Sequence, residues 1–208
     1  MNEASDRARG HRAEPFVRLG RARGPRDEIL LSFLDAQFQD LTTLASRSPV
    51  VEILQHATSP PNRYLLRFHC RGLVRTEAGV EETDRFDVGL RFPDDYLRRV
   101  DAAEVVTLLS PVNAYHPNIR FPFICVGHLR PGTGVRDLVY QLYEMFTYNR
   151  VCMREDDALN WDACAWARRN QARFPLETRP LLRAAPAAFA SAAAPTPVPA
   201  KEPGDANR

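Results

Sequence analysis

The chain reads as an α+β protein: an N-terminal helix, a four-stranded antiparallel meander, an irregular loop and C-terminal helices. Three observations predict this. One apolar stripe at helical spacing opens the globular part, and four short alternating or β-branched segments follow at hairpin-like intervals. Two more segments of helical period come last, which segregates the helices from the meander.

The first helix is expected in PRDEILLSFLDAQFQDLTTLAS. Pro25 suits a first helical position, and Asp27 and Glu28 in the first turn suit the helix dipole. Ile29, Leu30, Phe33, Leu34, Phe38 and Leu41 form its stripe. VVEILQH is the first strand. RYLLRFHCRGLV is the second, with Tyr64, Leu66, Phe68 and Cys70 on one face and Arg67, His69 and Arg71 on the other. TEAG is a turn. DRFDVGLRF is the third strand, turning Phe86, Val88, Leu90 and Phe92 inward, and EVVTLL is the fourth. The stretch YHPNIRFPFICVGHLRPG reads as irregular. VRDLVYQLYEMFTYN is a helix with Leu138, Leu142, Met145 and Phe146 at core spacing. ALNWDACAWARRN is another, with Leu159, Ala163, Trp166 and Ala167 inward.

These elements fill residues 25–175, the expected core, and an apolar content of 44% is enough to build one. Residues 1–24 are rich in Arg and Gly and read as a basic disordered arm. Residues 176–208 are rich in Ala and Pro and read as a disordered tail. A formal net charge of +2 gives no global field for nucleic acid or membrane. No apolar run suits a transmembrane helix or a signal peptide, so a cytoplasmic protein is expected. Cys70, Cys125, Cys152 and Cys164 form no Cys-x-x-Cys pair, so neither a zinc site nor a disulfide framework is expected, and no metal or cofactor. Lys201 is the only lysine. GC-rich codon usage explains that, as does avoidance of self-modification by an enzyme that attacks amines.

One grouping carries chemistry. His116-Pro117-Asn118 follows the meander, Cys125 lies seven residues after the asparagine, and Asp157 lies 32 residues beyond the cysteine, just before a helix. With the order of elements, this resembles the catalytic core of the ubiquitin-conjugating enzymes. The resemblance covers residues 25–175, and the stretches after Cys125 are most similar to bacterial members. It implies an acyltransferase that holds a ubiquitin-like protein as a thioester and passes it to a lysine amine. Cys125 would be the nucleophile, since a thioester reacts with amines yet lasts in water. Asn118 would donate its amide to the developing oxyanion, or order the loop. Asp157 would orient the incoming amine, with Asp156 as its alternative and a helix-dipole role as the bland one. His116 would hold the loop through backbone hydrogen bonds, with general base as the alternative, and Pro117 would stiffen the turn.

The implied partners are the ubiquitin-like modifier, an activating-type enzyme docking on the first helix, and a protein substrate. Bacterial members occur beside such genes, sometimes in antiphage defence. Three departures stand out. The insert IRFPFI is one residue shorter than usual, the tryptophan common after the cysteine is replaced by LRPGTG, and His128 sits three residues past Cys125. A scaffold of the same fold without catalysis is the competing reading. A nucleic-acid binder using the basic arm is weaker, as is a papain-like protease using Cys125 and His116.

Overall fold

The computed structural model describes residues 27–57 and 61–182. The basic arm, Pro25 and most of the Ala/Pro-rich tail lie outside them. The architecture is α+β, with an N-terminal helix, an antiparallel sheet and C-terminal helices. Helix α1 spans Glu28–Arg47, and Asp27 is its cap, accepting a hydrogen bond from the Ile29 N–H. Its buried face runs through Leu30, Leu34, Gln37, Leu41 and Leu44. Ile29, expected on the stripe, is 72% exposed. The stripe turns because Gln37 takes a core position: its Oε1 accepts from the Val135 N–H at 2.7 Å. That carbonyl caps α3 (Val135–Phe146), whose own cap residue Gly134 has no side chain to do so.

Strands β1 (Val51–Ala57), β2 (Arg63–Arg75), β3 (Val80–Arg91) and β4 (Val106–Ser110) form the antiparallel meander. The inward faces are those the alternation predicts: Tyr64, Leu66, Phe68 and Cys70 on β2, and Phe86, Val88 and Leu90 on β3, are all buried. A turn of helix, α2 (Ala102–Val105), precedes β4 and takes up Glu104 and Val105, which the sequence assigns to the strand. The sheet has six strands rather than four, in the order β1-β2-β3-β4-β6-β5. The extra pair, β5 (Ile119–Arg120) and β6 (Phe123–Ile124), lies within the stretch expected to be irregular.

Helix α3 packs on β2, and its Phe146 stacks face to face on Phe86 of β3 at 4.2 Å. The helix stops at Phe146, and Tyr148 follows in the left-handed region with φ 59°. Helix α4 (Trp161–Arg169) buries Ala163 and Ala167 and is capped by the Asn160 side chain. Leu159 precedes that cap, in the loop, and is exposed rather than inward.

The packed chain continues beyond Pro175, the expected end of the core. Residues 176–182 form a strap with Leu176 and Leu181 buried. Leu176 N–H bonds the Thr147 carbonyl, Tyr143 Oη bonds the Arg179 carbonyl, and Ser48 Oγ reaches the Leu181 carbonyl at the end of α1. The strap also explains a register shift in β2 between His69 and Gly72. There Arg71 N–H donates to Glu177 and the His69 carbonyl accepts from Arg179, so strap side chains satisfy backbone groups released from β3. Among the described residues no helix is long and apolar enough to cross a membrane.

Candidate active site

The β5–β6 hairpin positions the central residues. Ile119 pairs with Ile124 and Arg120 with Phe123, around a Phe121-Pro122 turn. The next rung is Asn118 opposite Cys125, whose N–H donates to the Asn118 carbonyl at 2.8 Å. The short insert therefore makes asparagine and cysteine cross-strand neighbours. β6 joins the sheet edge at β4 through Thr107 and Phe123, and Leu108 N–H bonds the Pro122 carbonyl. Ile119 and Ile124 are buried against the main core and fix the hairpin's tilt.

Cys125 is partly exposed and lines a cleft of about 180 Å³ with Asn118, Val126, Gly127, Met145, Arg150, Val151 and Cys152. The Asn118 Oδ1 accepts from the Cys152 N–H at 3.2 Å. Its amide NH2 is thus the half of the side chain left to donate. Gly127 has φ 84°, and a Cβ there would lie 3.6 Å from an Arg150 guanidinium nitrogen, so that cation lies close over Gly127 at the cleft wall.

His116 lies beneath this surface, 2% exposed. Its Nδ1 accepts from the Asn118 N–H at 3.0 Å, which places the proton on Nε2. Nε2 is buried with no hydrogen bond of good geometry. Burial pulls the imidazole down to about 3, and the Arg150 backbone works against that in part. The ring is therefore neutral, and it packs edge-on against Tyr148 at 4.5 Å. Tyr148 in turn bonds the Tyr115 carbonyl and stacks on Phe174. Tyr115 and Tyr148 belong to a small second core with Leu73, Ala163, Ala167 and Leu176, against which Phe174 and the cleft-wall residue Val151 pack.

The acidic residues stand apart from the cleft. Asp156 and Asp157 are exposed on the 152–160 loop, and Arg154 pairs with both, at 2.7 Å and 3.5 Å. The Arg154 hydrogen bond holds the Asp156 carboxyl below its usual range. Neither acid lines the cleft shared by Asn118 and Cys125. The loop is nevertheless tied to that segment at both ends: Cys152 N–H on Asn118, and Asn160 N–H on the Pro117 carbonyl at 3.0 Å. His128 is exposed in a neighbouring cleft with Arg99, Asp101 and Ala102, and only Gly127 lines both.

Cys152, Arg150 and Asn160 are absent from the sequence reading of the site. Asn160 had a legible signal, a capping residue three positions before the first buried alanine of a helix. Cys152 and Arg150 had none, because the chain reversal after α3 that brings them to Asn118 leaves no periodic trace. In comparisons with known proteins, no family model matches this chain and no curated protein matches it.

Proposed function

We propose that the chain is an acyltransferase of the ubiquitin-conjugating type, with Cys125 as the thioester residue. The observation that supports this best is the pairing of Asn118 with Cys125 across a hairpin at one open cleft. In this reading the Cys125 sulfur attacks the thioester of a modifier on an activating-type enzyme and displaces that enzyme's thiol. A target amine, its ammonium proton lost to water, then attacks the new thioester carbonyl and the oxygen gains negative charge. As the C–S bond breaks, the Cys125 sulfur leaves as thiolate and the nitrogen sheds a second proton to water. The free amide NH2 of Asn118 is the neutral donor for that oxyanion, worth about 2.7–4 kcal/mol in comparable sites. His116, buried and neutral, sets the Asn118 backbone and takes no proton from the cleft. Asp157 meets the amine from the tethered loop, after exchanging Arg154 for the substrate's ammonium.

The test is a non-reducing gel with an activating-type enzyme, its ubiquitin-like modifier and ATP, taken from genes beside this one where they exist. Wild type should gain a band that thiol reductant removes. Cys125→Ser should give either no band or an ester that survives reductant. A reductant-sensitive band in Cys125→Ser, or none in wild type with partners active toward another conjugating enzyme, defeats the reading.

A further inference from the structure

The cleft that holds Cys125 holds a second thiol. Of the four cysteines, Cys70 and Cys164 are buried, and burial pushes both thiols up, away from the reactive thiolate form. Cys125 and Cys152 are the two partly exposed ones, and both line the same cleft of about 180 Å³. One residue spans their backbones: the Asn118 carbonyl accepts from Cys125 N–H and its side-chain oxygen from Cys152 N–H. Cys152 lies in residues 151–154, which have no regular secondary structure and so can adjust their backbone more readily than a strand.

We propose that Cys125 and Cys152 form a reversible disulfide when the protein meets a peroxide, with Cys152 as the resolving thiol. The Cys125 thiolate attacks one peroxide oxygen, the O–O bond breaks, and water leaves after protonation, giving a sulfenic acid. The Cys152 sulfur then attacks the sulfenic sulfur, the S–O bond breaks, and a second water leaves. Two thiols lose two electrons and two protons, and one peroxide is reduced to two waters. The bridge protects Cys125 from irreversible oxidation to sulfinic acid. It also removes the nucleophile and draws Cys152 from its bond to Asn118, so a thiol reductant restores both at once. The disulfide itself rests only on two accessible thiols in one cleft. Its effect on acyl transfer rests on the function proposed above.

The experiment treats the full chain with a small excess of hydrogen peroxide and reads intact mass and non-reduced peptide maps. Wild type should lose two hydrogens, show a Cys125–Cys152 cross-linked peptide, and regain its mass with dithiothreitol. Cys152→Ser should instead gain two oxygens on Cys125 that dithiothreitol does not remove. Cys164→Ser, which removes a buried thiol hydrogen-bonded to the Cys152 carbonyl, should behave as wild type. Wild type going straight to sulfinic Cys125, or a bridge to Cys164 or to another molecule, overturns the proposal. No modifier or activating enzyme is present, so a failed thioester assay leaves this result standing, and the converse holds.

Discussion

At the scale of single residues, His116 makes a proton-linked prediction. In the unfolded chain an imidazole titrates near 6.5, and in the fold burial moves it to about 3. Between those values the unfolded state binds a proton that the native state refuses. The contribution is therefore complete above about pH 6.5 and is lost as pH falls through the window, at up to about 1.4 kcal/mol per pH unit. Urea midpoints across that window should fall more steeply for wild type than for His116→Gln. Equal slopes would mean that the ring is not held neutral. Asn118 can be split into two roles by substitution. Asn118→Ala should slow discharge to lysine by about 10²-fold or more, slow loading less, and raise amide exchange at Cys152. Asn118→Asp keeps the acceptor and loses the donor. It should restore Cys152 protection without restoring discharge, and recovery of both would assign Asn118 to loop order alone.

Among the elements, the β2–α3 contact is the least forgiving. A Cβ on Gly72 would lie 2.3 Å from the tip of the Phe86 ring. That ring cannot retreat, because Phe146 stacks on it with an interplanar angle of 1°. Gly72→Ala should cost about 1–3 kcal/mol, seen in urea unfolding with an unchanged slope. The alternating strands β2 and β3 were legible because each buries one face and their period is 2. The β5–β6 hairpin was not, since two-residue strands carry no alternation and IRFPFI puts aromatics on both sides. Phe121 and Phe123 are in fact exposed while Ile119 and Ile124 are buried. The α1 stripe was legible in outline, but its rotation depends on Gln37 capping α3, a contact 98 residues away in sequence. At the site, motif spacing put Asn118 and Cys125 together. It did not reveal that Arg154 occupies both Asp156 and Asp157, because an exposed ion pair leaves no spacing rule of its own.

For the whole molecule, the strap at residues 176–182 joins both cores, with Leu176 in the small one and Leu181 in the large one. Leu181→Ala should lower stability by about 2–5 kcal/mol, measured by denaturant unfolding. Truncation after Pro175 should cost more, since it also strips the partners from His69 and Arg71. The Ala- and Pro-rich composition of the C-terminal region hid these seven residues, whose three leucines make no period. The strap also sets an order of events during translation. Among the described residues it is the last packed part to be made, and the groove that Leu181 fills stays open until then. A nascent chain on the ribosome therefore holds an unfinished core through the synthesis of every other element. Chaperones that bind exposed apolar surface have their longest access to this protein in that interval.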